Sequence, residues 1–118
     1  MRARQEKSTA ARSRQRQYQR LKRQILALGW ARPGSLIRRY MPCGNPACCC
    51  MSKPAQLHGP YFQWSHKIGG RTWSLRLSAD QARMAKLWAD NYKKLRSLLR
   101  LMERLALQET DRILGSIS

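Results

Sequence analysis

The sequence predicts an α+β chain: an N-terminal basic helix, a small three-stranded antiparallel sheet interrupted by a zinc loop, and a long C-terminal helix. Three patterns predict it. Apolar residues ahead of Gly29 recur at helical spacing, residues 61–78 alternate about a Gly-Gly pair, and residues 88–113 follow a heptad. At 118 residues the chain has the length of one core. The segments 1–32 (basic helix or arm), 33–78 (zinc-loop sheet) and 79–118 (long helix) are therefore read as parts of a single domain.

Arg2 to Gly29 contains no proline and is built from Arg, Gln, Ala and Leu, all good helix formers. Tyr18, Leu21, Ile25 and Leu28 form an apolar stripe at helical period. Ahead of Tyr18 the composition is nearly pure Arg, Gln, Ser and Ala, which predicts an arm that is frayed in isolation and gains helix when a partner neutralises it. Gly29 and Pro33 mark the end.

"PGSLIRRYM" reads as a turn and a short strand, with Leu36, Arg38 and Tyr40 on one side and Ile37, Arg39 and Met41 on the other. After an irregular return, "YFQWSHKIGGRTWSLRLS" reads as a hairpin turning at Gly69-Gly70. That turn sets Phe62 opposite Leu77, Trp64 opposite Leu75 and His66 opposite Trp73, all on one face. A slip of one residue would set Trp64 against Ser74 and mix the two faces. The other face, with Tyr61, Gln63, Lys67, Thr72 and Arg76, is polar and basic, as expected of a sheet with one wet side.

Ser78 and Gln81 form a capping box, and Asp80 lies in the first turn where the helix dipole favours a negative charge. The helix is predicted from about residue 79 to 114, with Gly115 as its stop. Trp88, Tyr92, Leu95, Leu99, Met102, Ala106 and Ile113 make its stripe, interrupted by Glu109. Its first half is expected to pack on the Phe62/Trp64/Trp73 face and on the helix before Gly29. Its second half needs a partner: the N-terminal helix in an intramolecular hairpin, a second copy in a homodimer through residues 88–114, or another protein.

The formal charge is +18, from 24 Lys and Arg against six acidic residues. No carboxylate side chain lies between Glu6 and Asp80. Such an excess points to a polyanion that releases counterions on binding. Phosphate contacts are assigned to Arg12, Arg14, Arg16, Arg20, Lys22 and Arg23 on the first helix, extended over the sheet by Arg38, Arg39, Lys67, Arg71 and Arg76. No apolar run suits a signal peptide or a membrane span, and the basic N-terminal helix lacks the Trp/Phe/Leu face of an interfacial helix, so the expected partner is not a membrane. The expected compartment is a reducing cytoplasm, with nucleoid association if the partner is DNA.

"CGNPACCC" holds all four cysteines. Adjacent Cys48, Cys49 and Cys50 are poorly placed for disulfides. A catalytic thiol needs a base and an orienting carboxylate, and the stretch from Glu6 to Asp80 has no such carboxylate; no enzymatic activity is expected. Zinc takes three or four Cys with His as the balance, and Cys43, Cys48, Cys50 and His58 supply that set in a loop with little else to hold it. Cys49 is then a spare thiol or replaces His58. His66 falls on the apolar strand face and reads as packing.

The strings "PGSLIRRYMPCGNPACCC" and "HGPYF" resemble a family of small, uncharacterised prokaryotic proteins with the pattern PGS, CG-x-P-x-C-x-C and HGPYY, followed by a hairpin and a long charged helix. The resemblance covers Pro33 to Leu99. It implies the same ligand set, with Gly44, Pro46, Gly59, Pro60 and Tyr61 framing it. Cys49 stands where a basic residue is usual, and Phe62 where a second Tyr is. Some members of that family sit beside mobile-element genes, which implies DNA transactions.

The expected function is therefore a zinc-stabilised, nucleic-acid-binding accessory protein, DNA ahead of RNA. The competing expectation is an adaptor whose long coiled-coil helix recruits a recombinase or nuclease.

Overall fold

The computed structural model describes residues 2–41 and 57–115, with side chains from residue 9 onward. The order is α1 (Arg2–Leu26), β1 (Ser35–Met41), β2 (His58–Ile68), β3 (Arg71–Leu77) and α2 (Ala79–Leu114). The strands form one antiparallel sheet in the order β1-β2-β3, so the α+β expectation holds. No helix among the described residues is long and apolar enough to cross a membrane.

The chain divides into two compact units. One contains the sheet and α2 up to residue 92; the other contains α1 through residue 29 and α2 from residue 93. The division falls inside α2, whereas composition had placed the long helix in a single segment. At 36 residues and about 1.5 Å per residue, α2 is about 54 Å long, enough to serve both.

In the sheet unit the hairpin register is the expected one. Phe62 faces Leu77, Trp64 faces Leu75 and His66 faces Trp73. Gly69 and Gly70 both have positive φ, at 57° and 80°, as a tight two-residue turn between twisted strands requires. On the other side of β2, Leu36 faces Trp64 and Arg39 faces Tyr61, with an irregularity before Met41 pairs with His58.

Trp64 is the large buried side chain of this unit, at 4% exposure, and packs with Ala85 and Ala89, flanked by Leu36 and Leu77. Ala82, Ala85 and Ala89 recur at helical steps and are all buried. Their small side chains let the helix backbone come close to the indole. Gly34 does the same from the turn before β1: a Cβ there would lie 2.2 Å from Trp64 Cζ2. The Arg32 guanidinium stands 5.7 Å from the ring centroid, a cation–π distance. Arg32 N–H also donates to Trp88 O at 3.0 Å, and Asn91 Nδ2 donates to Trp30 O at 2.9 Å, tying the turn to α2.

Coverage of the sheet is narrower than the sequence implied. Trp73 and Leu75 share the Trp64 face yet are 57% and 60% exposed, because the alanine stripe covers Trp64 and leaves the outer part of β3 open. The start of α2 is as expected. Gln81 N–H donates to Ser78 Oγ at 3.2 Å, and Ser78 N–H donates to Gln81 Oε1 at 2.9 Å. Asp80 pairs with Arg83, and Gly115 closes the helix at φ 85°.

In the helical unit α1 is helical from Arg2, earlier than the expected start of order near Tyr18. Leu21 and Leu98 are buried. The half-buried positions Ala11, Arg14, Tyr18 and Ile25 extend Leu21 into a heptad row, and Leu95, Met102, Leu105 and Glu109 do the same around Leu98. An ion pair between Arg14 and Glu109 fixes an antiparallel hairpin, which places Tyr18 level with Leu105, Leu21 with Met102 and Ile25 with Leu98. The row runs through Leu98, one position earlier than the expected Leu99. Leu99 and Ile113, expected in the stripe, are 49% and 65% exposed.

Replacing Gly34 by Ala tests the Trp64 seat. The expected loss is about 2–4 kcal/mol, combining roughly 1–3 for overpacking with about 1 for an L residue at φ 147°. Urea denaturation of the two proteins measures it, and equal midpoints would contradict the packing described.

Candidate nucleic-acid interface

Two basic surfaces emerge, one in each unit. On α1, Arg12, Arg16 and Arg20 follow one another at steps of four, which stacks them on one face, and all three are exposed, as is Arg23. Arg16 and Arg20 line a groove of about 610 Å³ together with Arg104 of α2. Leu21, Leu101 and Leu105 lie along it, and Ser13, Gln17 and Gln108 add polar groups. Among the described residues no carboxylate lines the groove. Three guanidiniums facing one concavity repel one another, and an anion between them removes that repulsion.

Arg14 has a different role from its neighbours. Its Nε donates to Glu109 Oε2 at 2.9 Å, with the Arg14 side chain 20% exposed and that of Glu109 29%. Arg112 Nη2 and Nε donate to Glu109 Oε1 at 2.5 and 3.2 Å. These hydrogen bonds, Arg112's first and Arg14's next, hold the Glu109 carboxyl down at about 2 from the usual 4.5. The same carboxylate raises the Arg112 pKa. Glu109, which looked like a break in the apolar stripe, is thus the partner of an arginine that sequence reading had assigned to phosphate. The signal was present: Arg14 falls on the heptad row that runs back from Tyr18. Arg104 was missed as a groove residue because its neighbours Arg16 and Arg20 are known only from the hairpin register. Lys22 is set over the Tyr18 ring at 5.1 Å.

The second surface is the wet face of the sheet. Strand alternation puts Arg39, Gln63, Tyr61, Ser74 and Arg76 together, and they line a depression of about 250 Å³. The Arg76 guanidinium sits over the Tyr61 ring at 4.1 Å from its centroid. Lys67 continues this face toward the turn, whereas Arg38 and Arg71 project from the opposite side. Arg38 Nη2 donates to Tyr40 Oη at 2.9 Å and stands 5.7 Å from that ring's centroid; Arg71 pairs across the turn with Ile68. The five sheet cations therefore divide between two faces.

Of the expected metal ligands, Cys43, Cys48 and Cys50 lie outside the described residues, as does Cys49. His58 opens β2, opposite Met41 at the end of β1. His66 is half-buried opposite Trp73.

The chain is thus a small basic α+β chain with an arginine-lined groove in one unit and a Tyr–Arg contact in the other. The family follows from comparison: residues 11–86 match a domain of unknown function, DUF6788, and the chain belongs to that family. The match takes in most of α1 and the sheet and ends in the first half of α2, whereas the resemblance read from the sequence ran from Pro33 to Leu99. No curated protein and no solved structure matches the chain.

The Glu109 site makes a signed pH prediction. Because its carboxyl is held below the ordinary value, its contribution to hairpin stability is complete above about 4.5 and is lost as pH falls through about 2. Thermal melts from pH 6 to pH 2 should show a component of the fall in melting temperature that is missing in Glu109→Gln. Parallel curves for the two proteins would remove the ion pair from the account.

Proposed function

We propose that this chain is a nucleic-acid-binding accessory protein, with DNA the preferred ligand over RNA and with no catalysis of its own. The convergence of Arg16, Arg20 and Arg104 on one groove with no carboxylate among its described lining residues carries the reading. A phosphate backbone passing through it exchanges condensed counterions for fixed guanidiniums, and the gain is entropic and salt-dependent. Arg12 and Arg23, exposed on the same helix, extend the contact to neighbouring phosphates. Such contacts position a nucleic acid without reading its bases. The association with mobile elements implied by the resemblance fits a partner protein acting on the same DNA, and a nucleoid location follows from it.

The same reading includes one structural Zn²⁺, held by Cys43, Cys48, Cys50 and His58, with Cys49 as the extra thiol. It is supported by the strand register, since pairing of Met41 with His58 brings the two ends of the cysteine segment to one place. Three thiolates and an imidazole suit a closed tetrahedral site, which contributes folding energy and leaves no open position for chemistry.

A second reading, an adaptor that recruits a recombinase or nuclease or pairs with its own copy through residues 88–114, is favoured by α2. Leu99, Leu107 and Leu114 are 49%, 56% and 76% exposed and fall within an arc of about 80° at 100° per residue. That is a stripe suited to another helix.

Binding to a duplex measured from 50 to 200 mM salt tests the first reading. The slope of log affinity against log salt should shrink by about 2.7 when Arg16, Arg20 and Arg104 all become Gln, at about 0.9 per phosphate contact. An unchanged slope excludes the groove, and no binding at low salt to duplex or single strand would falsify the function. Elemental analysis of the pure protein should give one zinc per chain, lost in Cys43→Ser with a lowered melting temperature.

A further inference from the structure

We infer that the wet face of the sheet is a stacking subsite for one unpaired base, so that the protein engages single-stranded nucleic acid there. The inference rests on the nucleic-acid reading above and deepens it, using residues of the other unit.

Four observations carry it. Tyr61 and Arg76 already form a pile, the guanidinium 4.1 Å from the ring centroid. Arg76 is exposed, so a third flat group can reach its side chain. Nucleobases stack on both aromatic rings and guanidinium planes when they are splayed out of a helix. Arg39 lies directly across from Tyr61 in the strand pairing, in place for the phosphate of the stacked nucleotide. Gln63, facing Arg76 on β3, offers an amide donor and acceptor to a base edge.

Size and charge narrow the ligand. The depression holds about 250 Å³, below the roughly 300–1,000 Å³ of pockets that enclose a small molecule. It therefore takes one unit of a longer chain rather than a free ligand. A paired base presents its flat faces only to its neighbours in the stack, so a duplex cannot use the pile. No acidic residue occurs between Glu6 and Asp80, so no carboxylate from the sheet or its turns competes for Arg39 or Arg76.

The test compares four polymers of equal charge on the full chain: oligo(dT), oligo(U), an abasic deoxyribose-phosphate strand and polyglutamate. The wild type should bind the two base-bearing strands about 5- to 150-fold more tightly than the abasic one, the range one stacked base supplies. Tyr61→Leu carries no charge change, so it should remove most of that preference while leaving the salt slope intact, and Tyr61→Phe should keep it. Circular dichroism verifies that the variants fold; if Tyr61→Leu does not, the wild-type ratio of oligo(dT) to abasic strand decides alone. Equal binding of base-bearing and abasic strands, with the groove variant still weakened, overturns the subsite and leaves the nucleic-acid reading standing. Polyglutamate bound as tightly as oligo(dT) overturns it in favour of an acidic protein ligand. No binding to any strand or duplex overturns both.

Discussion

The sheet unit depends on the seating of a single indole. Trp64 is buried on a sheet of three short strands and packs against Gly34, Ala85 and Ala89. An indole removed from water contributes about 4–6 kcal/mol at 25 cal/mol per Å² over the 150–250 Å² such a side chain buries. The gain requires close approach from both the turn and the helix, so those positions carry almost no side chain. The "PGS" string is explained by this packing: Gly34 has φ 147° and no room for a Cβ. Since one face of the sheet is taken up by the indole and its helix, the other is open to carry Arg39, Tyr61 and Arg76.

The charge arrangement has its own logic. Asp80 pairs with Arg83, Asp90 with Lys86, and Glu109 with both Arg14 and Arg112. Three of the five carboxylates among the described side chains are thus occupied by basic neighbours. Pairs within one helix at exposed positions add little to stability, but each removes a counter-charge from the rest of the surface. What is left includes the exposed Arg12, Arg16, Arg20 and Arg23 of α1 and the exposed Arg39 and Arg76 on the wet face of the sheet.

The hairpin register, the capping box, the Gly115 stop and the strand after "PGS" were legible because each depends on neighbours a few residues apart. Gly69-Gly70 fixes every cross-strand pair in β2 and β3. Features that depend on residues far apart were less legible. The alanine stripe at 82, 85 and 89 escaped a search for large apolar side chains, and Trp73 and Leu75 were expected to be covered because a hydrophobic pattern does not report how wide the covering face is. Arg14 and Glu109 are separated by 95 positions, and only the pairing of α1 with α2 shows that one arginine of a uniform run faces a carboxylate. The cysteine segment was legible as chemistry, and its ligand set is a proposal that rests on residue types.

The Arg14–Glu109 pair also acts as a register lock. Two helices joined by leucine layers alone can slide past each other by seven residues and re-form nearly the same contacts. With one charged layer in the row, a slide in one direction would bring Glu109 level with Leu21, and a slide in the other would bring Arg14 level with Met102. Either misalignment would separate Arg14 from Glu109 and leave the half-buried arginine without its carboxylate, while Glu109 kept only Arg112 of its own helix, so the layer selects one alignment out of several that apolar packing would tolerate.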